Sequence, residues 1–448
     1  MNFEELVNRV KQSGIAGAGG AGFPTYAKLS KKIETVILNC AECEPLFKTH
    51  RELLATNAYE IISMLNEIAI AVGAKEFIVA VKAEYETTVE AVKSVLVDFK
   101  LGKLCLLPEI YPAGDEIVLI YEATKKRVAP GNIPISVGVS VFNVETVLNI
   151  YNAVNFDRPV TEKYVTVAGE VKNPGIFKIP LGTKISEVIA LAGGLVIKNA
   201  KILKGGPMTG SLSSPYDVIT KTTNGILVFP ENHPVVMKRE AKTNISVARA
   251  KSSCCQCRMC TDLCPRNLLG MPINPAAFMD AVANGATYNA KVIQDAMYCV
   301  SCGLCEMYSC SQGLNPRSLI DEFKIKMRAN GIKPEVMEEH INPVNPAQEY
   351  RKVPMHRLKE RLDLIRYDAD ALINDIKFVP KRVKINLSQS IGAPSVACVK
   401  KGDKVKQGEV IGIAQEGLSL PVHASIDGTV LEVTDKFIII DNSSKVIA

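Results

Sequence analysis

Two runs of cysteines carry the plainest chemistry in this sequence. The first reads Cys254-x2-Cys257-x2-Cys260-x3-Cys264-Pro265. At that spacing three thiolates on a tight loop wrap one iron–sulfur cubane, and a fourth, set ahead of a proline, is directed to a neighbouring cluster. The second reads Cys299-x2-Cys302-x2-Cys305, then Cys310 after four residues, with Ser311 where proline is usual. The spacing predicts two [4Fe–4S] clusters that share ligands across the runs. One takes Cys254, Cys257, Cys260 and Cys310; the other takes Cys264, Cys299, Cys302 and Cys305. The extra residue ahead of Cys310 has to be absorbed as a bulge, and Cys255 is left spare. Structural zinc is the competing use of such thiols, but zinc knuckles usually separate two Cys pairs by a longer loop. Disulfides fit less well still, because so many neighbouring thiols have ambiguous partners.

A second group of residues stands near the start: Gly17-Ala-Gly19-Gly20-Ala-Gly22-Phe23-Pro24-Thr25-Tyr26-Ala27-Lys28. Glycines admit positive φ and let backbone N–H groups approach phosphate, while a following helix offers its positive end. The loop is not a Walker loop, since it lacks Gly-Lys-Ser/Thr, and no clear strand precedes it. Alone, it reads as a flexible turn. Its company says more. A strand-like run, Glu34 to Asn39, leads into Cys40-Ala-Glu42-Cys43-Glu44-Pro45-Leu-Phe-Lys48. Two carboxylates just past a strand end suit hydrogen bonds to a ribose or a flavin ring, or else make a solvated turn. Tyr111-Pro-Ala-Gly114-Asp115-Glu116 and Asn143-Val-Glu145-Thr146 follow, and Asn143 suits the cap of a helix, which also builds an anion site.

In this order the four segments resemble the family of the flavin-bearing subunit of respiratory complex I, the Rnf complex C subunit and the PduS-like cobalamin reductases. The resemblance implies that FMN rests on Gly17, Gly19, Gly20, Lys28, Asn39, Glu42, Asn143 and Thr146. It implies flavin- or nicotinamide-side contacts for Phe23, Glu44, Tyr111, Gly114 and Asp115, and no catalytic side chain beyond the cofactors. Two positions depart from the complex I pattern: an arginine of the loop is Ala18 here, and an aspartate is Ala41.

The elements around these residues complete a multidomain α/β reading. Tyr164 to Val171, the turn Asn173-Pro174-Gly175, and Phe177 to Pro180 predict two strands, with a helix from Lys184 to Ala192 closed by Gly193-Gly194. They are similar to an SLBB domain of the β-grasp type, and Gly205 to Gly210 is similar to a loop of the family. Pro272 to Ala296 predicts a largely helical link between the cysteine runs. Alternating charges over 331–375 suggest surface helices or a linker. Short strands and turns from Val383 onward resemble a barrel-sandwich hybrid of lipoyl type. Gln415-Glu416-Gly417 stands where a carrier lysine would be, and His423 reads as structural. The expected division is 1–157 for an FMN and NADH domain, 160–235 for SLBB, 245–330 for a helical two-cluster ferredoxin-like domain, 331–375 for a helical linker, and 376–448 for the barrel-sandwich hybrid.

Composition bounds the function. The chain has 448 residues, 13 Cys, no Trp and a net charge of +6. The dense basic stripe with interleaved aromatics that nucleic acid needs is missing. No apolar run approaches the ~20 residues that cross a bilayer, and the charged start differs from a signal peptide. A cytoplasmic place is expected. Phe3, Leu6, Val7 and Val10 share a helical face and predict a first core helix, or a docking helix. The resemblance implies an NADH-oxidising enzyme that passes electrons from FMN through two clusters to a corrinoid or redox-protein acceptor, inside a bacterial microcompartment. Shell protein and adenosyltransferase are the partners that would imply. The rivals are a relay subunit of an Rnf-like complex with no nicotinamide site of its own, and a zinc-bearing scaffold.

Overall fold

Four parallel strands form the floor beneath the glycine loop. They are β1 (Thr35–Cys40), β2 (Glu76–Lys82), β3 (Gly102–Leu107) and, after the two-residue β4 (Ile110–Tyr111), β5 (Val139–Asn143). The sheet order is β3-β2-β1-β5, in parallel register throughout. Nearly continuous apolar runs such as Phe-Ile-Val-Ala-Val in β2 suit a sheet covered on both faces. Alternation divides them: Val36 and Leu38 enter one core while Ile37 enters the other. The first core is closed by α1 (Phe3–Gln12), α2 (Thr49–Thr56), α3 (Ala58–Val72) and α4 (Glu86–Leu96). The opposite face is closed by α5 (Glu116–Thr124), while α6 (Val144–Phe156) returns to the first. Leu6 and Val10 are fully buried, so α1 is a core helix. The computed structural model describes all residues except 286–288, 341 and 444–448.

Strand order fixes where a ligand fits. The chain runs outward from β1 to β3 and then returns to place β5 on the other side of β1. Such a reversal opens a crevice beyond the carboxyl ends of the two central strands. Asn39, next to last in β1, and Asn143, last in β5, are register partners.

The second module is a mixed sheet of β6 (Glu162–Gly169), β7 (Gly175–Pro180), β8 (Ala200–Lys204), β9 (Ser211–Ser213) and β10 (Gly225–Pro230), with α7 (Ile185–Leu191) packed on it. The antiparallel β6–β7 pair and the parallel β6–β10 pair give it the β-grasp form. In the ferredoxin-like module, helices Thr243–Ser253, Pro275–Asn284, Ala290–Asp295 and Pro316–Ala329 share one core. The link expected to be helical over 272–296 is thus two helices, and its residues 286–288 lie outside the described ones.

The segment 331–375 differs from the helical linker expected of it. Its described residues hold one seven-residue α-helix, Met355–Arg361, two 3-10 turns, and two two-residue strands, β11 (Val353–Pro354) and β12 (Ile373–Asn374). β11 pairs with β4 of the first module and β12 extends the second module's sheet beside β7. Met355, Leu358, Leu362 and Leu364 are buried with Leu203, Phe229 and Leu304 of the neighbouring modules. The segment is a strap, and its abundant charge masked the apolar residues that hold it down.

The C-terminal module packs a four-stranded and a three-stranded sheet around one core. Its loop between strands Val410–Ile413 and Val422–His423 docks on the first module, where the Tyr26 hydroxyl donates to the Gly417 carbonyl at 3.1 Å. Among the described residues no helix is long and apolar enough to cross a membrane.

The first two modules meet at an ion pair, Lys163 of β6 with Glu145 of α6, each side chain 1% exposed. Glu145 also accepts from the Tyr164 N–H at 3.1 Å. Removing one partner of such a pair leaves an uncompensated buried charge and costs about 3–5 kcal/mol. Lys163→Met is therefore expected to lower unfolding stability by that amount in denaturant titration, and Lys163→Met/Glu145→Met by much less. Equal losses in the two variants would refute this account.

Candidate functional site

A cleft of about 710 Å³ opens at the ends of β1 and β5, and all thirteen positions singled out in the sequence for a cofactor line it. Asn39 and Asn143 face it from adjacent strands. The Asn39 side chain donates to the Gly114 carbonyl at 3.0 Å and accepts from the Ala41 N–H at 3.0 Å. Asn143 caps α6 by accepting from the Glu145 N–H at 3.0 Å. The glycine loop folds back on itself, Gly17 N–H donating to the Phe23 carbonyl at 2.8 Å. Thr146 pins it through its hydroxyl, which accepts from the Ala18 N–H at 2.9 Å. Gly20 sits at φ +111°, a conformation that L side chains rarely adopt. Phe23 and Gly114 complete the wall.

The helix expected directly after the loop is one 3-10 turn, Thr25–Lys28. The positive helix ends at the cleft belong instead to α5 and α6, capped by Asp115 and Asn143. The loop follows α1 rather than a strand, so the sheet delivers those helix ends from elsewhere in the chain. Lys28, at the end of the turn, pairs with Glu116 at 2.8 Å and donates to the Val141 carbonyl at 3.1 Å.

The acidic residues line the cleft as expected, but their oxygens are engaged by the protein. Glu42, at φ +34°, accepts from the His50 N–H at 3.0 Å where α2 begins. Glu44 accepts from the Met208 and Thr209 N–H groups, both at 2.8 Å, in the loop of the second module. A Cβ on Gly206 would stand 2.1 Å from the Glu44 carboxylate, so glycine is required there. One Asp115 oxygen caps α5; the other takes the Arg266 guanidinium at 2.7 Å, two residues past Cys264. Burial pushes the Glu42 and Glu44 carboxyls up from the usual carboxylate range.

The cleft has further lining residues that sequence reasoning missed, Thr25, His50, Lys204 and Arg266, and it adds Cys302, which the spacing had assigned to a cluster alone. Thr25 is 1% exposed, and its hydroxyl has no hydrogen-bond partner in the structure. It lay inside the glycine segment, where its type alone could have drawn notice; the others carry no local signal. Lys204, Gly205 and Gly206 extend from β8 in the second module, at the start of the Gly205 to Gly210 loop.

The cysteines sort into two cavities that cross the runs as the spacing predicts. One, of about 290 Å³, is lined by Cys254, Cys255, Cys257, Cys260 and Cys310. The other is lined by Cys264, Cys299, Cys302 and Cys305. The extra residue before Cys310 is taken up by a π-helical turn, Cys305–Ser309, the usual form of a one-residue insertion in a helix. Burial, and then repulsion from Cys310, Cys254 and Cys257, pushes the Cys260 thiol up to about 12. Burial likewise pushes Cys264 up to about 12, with Cys299 adding to it. Crowded buried sulfurs of this kind are poor homes for bare thiolates and good ones for iron. Among the described residues no group of three or more His, Cys, Asp or Glu is arranged to hold a single metal ion. A cubane offers a different iron to each thiolate, so its ligands surround a cavity rather than converge on a point.

The cleft and the second cavity touch. Cys302 lines both, and its carbonyl accepts the Tyr111 hydroxyl proton. A Cβ on Gly303 would stand 2.8 Å from the Met208 carbonyl, in the loop that holds Glu44. The first cavity lies outward, with Cys255 and Cys257 exposed.

Comparison with known proteins agrees with these modules. Residues 10–152 match the Nuo51 FMN-binding domain, 164–211 the SLBB domain, 253–315 a 4Fe-4S dicluster domain and 367–448 the RnfC barrel sandwich hybrid domain. The dicluster match decides the use of the cysteines in favour of clusters over zinc. The chain is 38% identical over 438 residues to cobalamin reductase PduS of Citrobacter freundii, covering 97% of this chain and 96% of that protein. It is 38% identical over 445 residues to cobalamin reductase PduS of Salmonella typhimurium (strain LT2), covering 98% and 96%. An NAD+-reducing [NiFe]-hydrogenase crystal structure in the H2-reduced state aligns with a TM-score of 0.49 and 19% identity, covering 74% of this chain and 63% of that one. That likeness is too distant to carry an argument.

His50 gives the cleft a pH signature. Its ring lies 3.3 Å from the Asn143 amide and 3.9 Å from the Glu42 carboxylate. Burial, and then Lys163, pushes its pKa down from 6.5 to about 3. The unfolded chain therefore takes up this proton near pH 6.5, while the folded one resists until about 3, so stability falls as pH drops through that window. The expected loss is about 1.4 kcal/mol per pH unit. His50→Gln should flatten the slope by that share in denaturant titrations from pH 6.5 to 4.5; parallel slopes would contradict it.

Proposed function

The chain belongs to the family of the PduS cobalamin reductases and is an oxidoreductase, and on that premise we propose that it oxidises NADH at the cleft and delivers the electrons to a corrinoid. Its cofactors are FMN, held by the first module, and [4Fe–4S] clusters, held by the ferredoxin-like one. Bound flavin accepts a hydride's electron pair and gives electrons up singly, as one-electron clusters require.

In this reading the backbone of Gly17, Gly19 and Gly20 lies against FMN without a Cβ in the way. Lys28 holds its ammonium toward the cofactor on the Glu116 carboxylate. Asn39 and Asn143 offer paired amides at the strand ends, while Thr146 acts by fixing the loop at Ala18. Glu42, Glu44 and Asp115 act mainly by orienting the walls, because their oxygens already have partners. Phe23, Tyr111 and Gly114 shape the side at which the nicotinamide enters. Cys264, Cys299, Cys302 and Cys305 hold the cluster nearer the cleft; Cys254, Cys257, Cys260 and Cys310 hold the outer one.

The observation that carries the proposal is the double place of Cys302, at once a wall of the cleft and a member of the inner cysteine set. An electron leaving the cleft has a ligand of the first acceptor against it. A corrinoid as last acceptor, and a place in a microcompartment beside shell or adenosyltransferase partners, extend the proposal through the family.

Anaerobic titration of the reconstituted chain with NADH is expected to bleach flavin and cluster absorption, and added cob(III)alamin to restore both. Absent flavin bleaching would favour the relay reading; bleaching without reoxidation by the corrinoid would sink the acceptor. Cys257→Ser should lose the iron and sulfide of the outer cluster yet keep NADH bleaching of the flavin. Unchanged iron content in that variant would overturn the ligand set.

A further inference from the structure

The cations of the cleft are not alike. Lys28 is paired with Glu116 at 2.8 Å and Arg266 with Asp115 at 2.7 Å. Lys204, at the end of β8, forms no ion pair among the described residues, and the carboxylate whose charge reaches it is Asp217, beside the Val218 carbonyl it bonds. Its one hydrogen bond goes to the Val218 carbonyl at 3.0 Å. An ammonium has three donors, so two remain for something else, and this side chain lines the cleft.

The wall beside it faces the glycine loop. A Cβ on Gly20 would stand 3.6 Å from the Asn224 side-chain nitrogen, and one on Gly22 2.8 Å from the Thr222 methyl. Thr222, Thr223 and Asn224 all line the cleft. The Asn224 side-chain oxygen is buried without a partner, as is the Thr25 hydroxyl on the opposite wall. Buried polar atoms are rarely left so in a working protein. An acceptor at Asn224 suits a sugar or ribityl hydroxyl, and an ammonium without an ion-pair partner suits the phosphate next to it.

We propose that the second module, and not the FMN-binding module alone, supplies a phosphate subsite of this cleft, with the Lys204 ammonium as its charge and the Thr222–Asn224 turn as its wall. The inference rests on the reading of the cleft as a nucleotide site and adds a second domain to it. Two phosphates fit the chemistry: the diphosphate of the dinucleotide and the phosphate monoester of FMN. In either case docking of the second module and nucleotide binding are coupled.

The test uses the full chain reconstituted with FMN and two variants, Lys204→Gln and Lys204→Arg. ADP-ribose binding is measured by calorimetry and FMN retention by absorbance after gel filtration. Loss of a charge-assisted hydrogen bond is expected to weaken one of them about tenfold or more, with Lys204→Arg restoring it. Weaker ADP-ribose binding with FMN retained assigns the dinucleotide; loss of FMN assigns the flavin phosphate. Unchanged affinity for both in Lys204→Gln overturns the proposal. If that variant melts early, Asn224→Ala is the second reading, and an unaltered affinity for both ligands there overturns it equally. ADP-ribose carries no hydride, so a protein that binds it through Lys204 but is not bleached by NADH would disprove the electron donor and leave the subsite standing.

Discussion

A carboxylate taken out of water must find donors, and at this cleft the donors come from other modules. Glu44 is anchored by two N–H groups of the β-grasp loop, and Asp115 by the Arg266 guanidinium of the cysteine module. The residues that look like a ligand's partners in the sequence are therefore the bolts between domains. The arrangement makes the cleft a property of the assembled chain. A first module standing alone would expose Glu44 and half of Asp115, and the cleft would lose its second wall.

The β-grasp loop from Gly205 to Gly210 is where these constraints meet. Its N–H groups take Glu44 on one side. The Pro207 and Met208 carbonyls accept from Arg239, and Gly303 packs against Met208. Met208 itself is buried with Leu304 and Met307 beside the inner cysteines. Glycine is needed at 206 and 303 because each lets a neighbouring group approach more closely than a Cβ allows. The spacing between cleft and inner cysteine cavity is thus set by a loop of the second module that also lines the cleft.

A second junction holds the far side. Lys221 of the β-grasp module donates to the Gly14 carbonyl at 2.6 Å and to the Pro421 carbonyl at 3.3 Å, tying three modules at one ammonium. Burial pushes its pKa down to about 7. Together with the Tyr26 contact to the C-terminal module, it stiffens the glycine loop from behind. The C-terminal domain, which lacks a carrier lysine at its loop, acts here as a buttress.

The sequence by itself determined the chemistry that is local. Cysteine spacing gave two four-sulfur sets and even the need for a bulge before Cys310, because a cubane's reach is set by a few residues of loop. The strand that carries Asn39 and the cap at Asn143 were legible for the same reason. Tertiary structure alone decided what joins residues far apart in the chain. It brought Cys302 to the wall of the cleft, turned Glu44 and Asp115 toward other domains, and drew Lys204 and Asn224 opposite the glycines. It also made the strap of 331–375 from a segment that reads as charged linker. Such outcomes depend on which buried polar group meets which donor when the modules close, and no run of neighbouring residues encodes that meeting.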